Sequence, residues 1–372
     1  MNGLTGVTEL SGVSPAALEA HTKSLVVNLL DGTVLPRHLP GFPIDRYLED
    51  LHRGGVTAFV TCVAAHHEDD FSLATMRLMR WHRLVQSVAP NLKVILSPED
   101  LREVKRRKSV GVIFQFQDPK PIEDNLLYVE AFYRLGLRIL QLTYQRRNLA
   151  GDGCGEPSDG GVSAFGRELI RECNKLGVLV DLAHAGHRTI LDAISISNAP
   201  VLISHTAAHA LYPHPRNIRD EHIKAVADNG GLVGVHALAY LLRRNGGSEG
   251  ASIQDVVAHI DYIAELVGVD YIGIGTDVGT NVVPTEVQVR ERAWGRLGEE
   301  FPELFVPGFN FQKRYAQGLE ASSGLPRLSE ALIVRGYTPG DVQKIMGGNF
   351  LRVFGEAVKK VEPSQSAAAE GT

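Results

Sequence analysis

The tightest constraint on this chain is a recurring pattern: a short apolar run that stops on a side chain able to bind a metal ion. Gly177–Ala183 runs into His184, Pro200–Ser204 into His205, and Tyr271–Thr276 into Asp277. A β-branched run bounded by glycine or proline reads as a strand buried on both faces, as in a parallel sheet. A polar residue at the C-terminal end of such a strand stands where a (β/α)8 barrel carries its chemistry. The pattern therefore points to an enzyme, and to one that uses a metal.

Extending the reading along the chain yields eight candidate strands: Leu25–Leu29, Val56–Val63, Val110–Phe116, Arg138–Leu142, Val178–Asp181, Val201–Ser204, Leu232–Val235 and Tyr271–Ile274. Amphipathic stretches between them read as helices, among them Asn125–Leu135, Ala164–Leu176 and Asp220–Asp228. Ser163 ahead of Gly166-Arg167-Glu168 marks a helix entry, and Asn229-Gly230-Gly231 a helix stop. A ninth run, Leu92–Leu96, fits a strand or a helix start equally well. The expected architecture is an α/β fold, a (β/α)8 TIM barrel over residues 24–278, preceded by a lead-in at 1–23. Residues 279–326 break the pattern: they are rich in aromatics (Trp294, Phe301, Phe305, Phe309, Phe311, Tyr315) and interrupted by proline. A stretch of that length on the catalytic face reads as a lid, a partner contact or a passive helical cap. C-terminal helices over 327–361 and a disordered Ser/Ala/Glu-rich tail at 362–372 complete the expected layout.

Composition removes several classes of function. With 38 Lys and Arg against 43 Asp and Glu, and no basic stripe, the chain lacks a nucleic-acid footprint. No apolar run reaches the roughly 20 residues that span a bilayer. The start of the chain lacks the basic and apolar blocks of a secretory signal. Cys62, Cys154 and Cys173 show no metal spacing and read as buried thiols in a reducing compartment, so a cytoplasmic location is expected.

The strand ends define the rim. They carry Gln117 after the third candidate strand, Tyr144 after the fourth, and His184, His205, His236 and Asp277 after the fifth to eighth. Two histidines on adjacent strands with an aspartate nearby form a donor set suited to zinc, which takes imidazole nitrogens and carboxylate oxygens. His209, one helical turn beyond His205, reads as a substrate contact or a helix cap. Arg216, in the turn Pro213-His214-Pro215-Arg216-Asn217, suits a substrate carboxylate. His66 and His67 read as a solvated loop close to the rim, and His187, His214, His222 and His259 as surface or helix residues.

Several segments together resemble the membrane (renal) dipeptidase family of metallopeptidases, peptidase M19, within the amidohydrolase-like barrels. They are Leu135–Arg138 with Leu142-Thr143, Gly161–Glu168, Asn174–Gly177, Asp181–His184, Ser197–His205, Arg216-Asn217, Gly273–Asp277 and Gly347–Val353. The likeness runs from Ser24 to Val353. It implies a metal-dependent hydrolase barrel with two zinc ions, held by a His-x-Asp on strand one, a bridging Glu on strand three, histidines on strands five and six, and an Asp on strand eight. His184, His205 and Asp277 match that set. Leu30 and Gly32 stand where the strand-one His and Asp belong, and Gln117 replaces the bridging Glu. Tyr144 replaces a substrate-polarising His, and His209 an Arg. A neutral amide cannot hold two dications together, so one zinc ion at His184 and His205 is expected, with Asp31 or Gln117 as optional oxygen ligands.

The resulting expectation is a mononuclear hydrolase of a small amide or dipeptide-like substrate. Asp277 acts as general base, Tyr144 hydrogen-bonds the substrate carbonyl, and Gln117, His209, Arg216 and His236 contact the substrate. Two alternatives stay open: a one-metal lyase or amine-catabolism enzyme on the same barrel, and a non-catalytic ligand-binding relative. Partners are confined to a small molecule, with a homodimer by analogy to such barrels, and neither nucleic acid nor membrane.

Overall fold

The computed structural model describes residues 12–33, 42–65, 69–242, 250–305 and 309–359. Its strands are β1 (Val27–Asp31), β2 (Ala58–Ala64), β3 (Leu92–Val94), β4 (Val110–Phe116), β5 (Leu137–Gln141), β6 (Leu179–Asp181), β7 (Leu202–Thr206), β8 (Leu232–Val235) and β9 (Ile272–Ile274). They pair in the order β2-β1-β9-β8-β7-β6-β5-β4-β3, and a further β2–β4 pairing closes eight of them into a barrel. Every strand pairing is parallel, as crossover helices require. All eight expected strands are present, with ends that differ by a few residues. The undecided ninth run is a strand: β3 pairs with the first half of β4 (Leu92↔Val110 to Val94↔Val112) and β5 with the second half, from Phe114↔Leu137 onward. β3 thus extends the barrel wall at its lower edge without joining the closure.

The helices follow their sequence signals closely. Ala164–Leu176 and Asp220–Asp228 have the expected bounds, and Asn125–Leu135 is trimmed to Leu127–Arg134. Ser163 caps the first of these, its hydroxyl accepting from the Gly166 N–H at 2.9 Å. Gly177 ends it at φ 73°, a left-handed turn that glycine adopts without a Cβ penalty.

Two apolar layers result. One lies between the barrel wall and its helices. The other fills the barrel near the strand starts, with Val27, Leu29, Val60, Ile113, Ile139 and Leu232 pointing inward. The helix Asn349–Lys359 closes that end from below with Phe350, Val353 and Phe354, all buried. Chemistry is therefore confined to the opposite end. There the excursion after β9 forms the helix Pro284–Glu300 and three short 3₁₀ turns, Pro302–Leu304, Phe311–Lys313 and Ser322–Gly324. Its aromatic residues gather on Tyr240, which follows β8: Tyr240 stacks on Phe305 (5.6 Å, 6°) and meets Trp294 and Phe309 edge-on. The cap is thus pinned to the barrel rim by aromatic packing. No described helix is long and apolar enough to cross a membrane. His66, His67 and the tail at 362–372 lie outside the described residues.

Candidate metal centre and active site

His184 follows β6 and His205 lies within β7, so neighbouring strands bring the two rings together. Their Nε2 atoms face each other at 2.9 Å, with ring centroids 4.9 Å apart. Two imidazole nitrogens, each 2.0–2.1 Å from one ion, stand about 3 Å apart when the bite is near a right angle. Tetrahedral zinc sets that separation at about 3.3 Å, so a shift of a few tenths of an ångström would let the pair share the ion.

The surroundings of His205 select the tautomer that such binding needs. Asp181, fully buried at the end of β6, accepts from the Ala183 N–H (3.0 Å), the Ser204 N–H (2.9 Å), the Ser204 hydroxyl and Gln115 Nε2. Four donors saturate both carboxylate oxygens and leave no place for a proton. Burial keeps this carboxyl above its ordinary range, and the hydrogen bonds from Ser204, Ala183 and Gln115 pull it only partway back. The Ser204 hydroxyl spends its hydrogen on Asp181, so at 2.8 Å it accepts from His205 Nδ1–H. His205 is then the Nδ1–H tautomer, with the Nε2 lone pair aimed at His184. Burial holds His205 far below the usual imidazole range, so that lone pair is present at neutral pH. Supporting partners of this kind are worth 10–100-fold in metal affinity. Ser204→Ala is therefore expected to weaken zinc binding about 10–100-fold, read by competition with a chromophoric chelator; wild-type affinity would refute the relay.

Asp277 follows β9, which β8 separates from the strand of His205. Both His184 (φ 66°) and Asp277 (φ 53°) occupy the left-handed region, two of four non-glycine residues to do so among the described residues. Each such placement costs about 1–3 kcal/mol, and strain of this kind gathers at functional positions. Burial pushes the Asp277 carboxyl up to about 6, against the opposing pull of Arg290 and Arg216.

His184 and Asp277 share one cavity of about 120 Å³, lined also by Asp31, Gly32, Gln117, Tyr144, Arg216, Tyr240 and Arg290; the fully buried His205 is not among its lining residues. Ala293, Trp294, Leu297, Phe301, Leu304 and Phe305 of the excursion form its outer wall. The Tyr144 ring stacks on His184 at 4.4 Å and 22°, fixing the imidazole plane. A second cavity of about 310 Å³ lies beyond His184 and takes in His209, His214, Arg216 and His222.

The structure thus gathers Gln117, Tyr144, His184, Arg216 and Asp277 around one space. His209 lines only the outer cavity, so Arg216 is the basic group that reaches both spaces. His236, expected at the rim, lines neither: it is fully buried, its Nδ1 accepting from the Leu238 N–H at 3.3 Å. It therefore lies off both cavity walls, as does the equally buried His205. His214, His222 and His259, expected at the surface or on exposed helix faces, are 5%, 3% and 0% exposed. His259 bonds the Ala208 N–H through Nδ1 at 3.0 Å and ties the loop after β7 to a helix. Sequence reasoning missed Asp181, Ser204, Gln115 and Tyr240. The signal for the first two was a polar residue interrupting an apolar strand just ahead of each histidine.

Among the described residues, one group of three has its ligand atoms close enough to hold a metal ion: His187, Glu221 and His222. His187 Nδ1 and His222 Nε2 lie 2.5 Å apart, yet His222 Nδ1 accepts from the Arg219 N–H. His222 therefore carries its proton on Nε2 and spends it on His187, the reverse of the His205 arrangement. This cluster is a closed hydrogen-bonded pair that caps the helix Asp220–Asp228.

Comparison with known proteins bears on the family and the fold. The sequence model of membrane dipeptidase (Peptidase family M19) matches residues 41–292 and 308–368. Dipeptidase tcpJ of Claviceps purpurea is 27% identical over 285 residues, 76% of this chain and 59% of that protein. An uncharacterized dipeptidase of Schizosaccharomyces pombe is 29% identical over 77% of this chain and 64% of its own length. The chain thus spans under two thirds of both. An amidohydrolase structure from Pseudomonas aeruginosa superposes with TM-score 0.80 at 31% identity, covering 92% of this chain and 99% of that one. A Rhodobacter sphaeroides metallo peptidase, solved with a phosphinate mimic of L-Ala-D-Ala, shares the fold at TM-score 0.73 and 21% identity, over 90% and 100% of the two chains.

Proposed function

This chain belongs to the membrane dipeptidase family, peptidase family M19, and from that premise we propose that it hydrolyses a small amide or dipeptide-like substrate with one zinc ion at His184 and His205. The observation that carries the reading is the opposed Nε2 pair, with the His205 tautomer set by Ser204 and Asp181. When bound, a zinc ion supplies Lewis acidity that draws the pKa of a water towards about 7.

The chain's own residues do the rest. Asp277 is the base: with its carboxyl near 6 it is mostly ionised at neutral pH, yet basic enough to take a proton from attacking water. The same carboxyl then returns that proton to the leaving amine nitrogen as the C–N bond breaks. Tyr144, held flat against His184, is placed to hydrogen-bond the substrate carbonyl as charge gathers on its oxygen. Arg216, buried and common to both cavities, suits a substrate carboxylate. The small cavity lined by Trp294 and Phe305 favours a substrate of few heavy atoms.

The base assignment fixes a pH response. Asp277 must be ionised to accept a proton, so kcat/KM is expected to fall about tenfold per pH unit on the acid side of its pKa. A flat profile down to pH 4 would exclude it as the base. The activity itself is tested by a screen of dipeptides and N-acylated or N-methylated amino acids on zinc-loaded protein. Zinc-dependent release of an amine from one substrate class is expected. Binding without turnover across the screen would instead favour the non-catalytic reading.

A further inference from the structure

We propose that the guanidinium of Arg290 stands in for the family's first metal ion, as a cation built into the chain; the inference rests on the one-metal reading above. The first metal position does not fit this protein. Leu30 has no donor atom and Gly32 no side chain. The strand-one carboxylate that is present, Asp31, bonds the Thr33 N–H at 2.8 Å. Into this half of the cavity comes Arg290, 3% exposed, from the helix Pro284–Glu300. Arginine in the middle of a cap helix normally points to solvent; here Arg290 and Glu286 are the helix's two buried residues.

The seat is shaped for the guanidinium. A Cβ at Gly32 would lie 2.9 Å from Arg290 Nη2 and 3.1 Å from Asp277 Oδ1, so the two groups share the space a side chain would need. A Cβ at Gly279 would lie 1.6 Å from Arg290 Nη1, so only glycine leaves room there. Tyr315 covers the cation at 5.4 Å, and its hydroxyl accepts from the Gly279 N–H at 3.0 Å. Arg290 faces both Asp277 and Asp31 and pulls both carboxyls down against the effect of burial. Arg290 Nη1 is buried and makes no hydrogen bond among the described residues, so a donor remains for an anionic or carbonyl oxygen in the cavity. A dication beside this fixed positive charge would be repelled in a low-dielectric site.

The test counts metal and needs no substrate. Wild type, Arg290→Met and Arg290→Lys are saturated with zinc, freed of excess, and analysed for zinc per chain. Wild type and Arg290→Lys are expected to hold one equivalent. Arg290→Met leaves Asp31 and Asp277 without their cation and is expected to gain a second. Two equivalents in wild type, or one in Arg290→Met, would overturn the inference. Should Arg290→Met not fold, zinc per chain of Arg290→Gln, which removes the charge but keeps a polar group beside the buried Glu286, decides: two equivalents support the inference and one overturns it. A protein that binds one zinc yet hydrolyses nothing would sink the proposed activity and leave this inference standing.

Discussion

Asp277→Asn is expected to lower kcat by at least about 10³-fold, some 4 kcal/mol of barrier, while the protein keeps its zinc. The amide preserves the shape of the carboxyl but cannot take a proton from water or carry it to the amine. Asp277 shares the cavity with His184, and its backbone, in the left-handed region, donates its N–H to the Leu30 carbonyl at 2.9 Å. Substitution at the side chain leaves that backbone contact intact, so folding should survive. The acid limb of the pH profile should disappear from whatever residual activity remains. Full turnover in this variant would remove Asp277 from the chemistry. Loss of zinc together with turnover would make it a ligand instead of a base.

His205→Ala is the second large effect expected. It deletes one of two imidazole ligands and strands a hydrogen-bonded relay: Ser204 loses its donor, and Asp181 keeps the Ser204 hydroxyl with nothing beyond it to orient. Zinc affinity is expected to fall far more than the roughly 10–100-fold assigned to a supporting partner, and activity to fall to the uncatalysed level. Thermal stability should drop moderately, by the cavity left in a fully buried position. Zinc titration followed by calorimetry reads the first effect, and melting curves separate it from unfolding. A variant that still binds zinc at wild-type strength would show that the ion sits elsewhere in the chain.

The barrel was legible because buried parallel strands are written as continuous apolar runs, and because each run here ends at glycine, proline or a polar residue. β3 was ambiguous for a physical reason: three residues pairing with half of β4 carry no periodicity to distinguish strand from helix. His184, His205 and Asp277 stand out in the sequence because a polar residue at the end of an apolar strand is conspicuous. Their partners were less visible, since the relay from Asp181 through Ser204 joins residues 23 apart whose meeting depends on strand register. His236 shows the limit of the strand-end rule. It ends β8 as His205 nearly ends β7, and both are fully buried, yet of the two it is His205 that meets His184. Arg290 lay beyond reach altogether. It is one of several arginines on a charged helix, and its burial follows from where the excursion folds back and from two glycines that leave it room.

Zinc content per chain, measured by elemental analysis on gently purified protein and again after chelation, tests the central claim most directly. One equivalent is predicted, removed by the chelator together with all activity and restored by one added equivalent. Two tightly held equivalents, or activity that survives complete removal of metal, would contradict it.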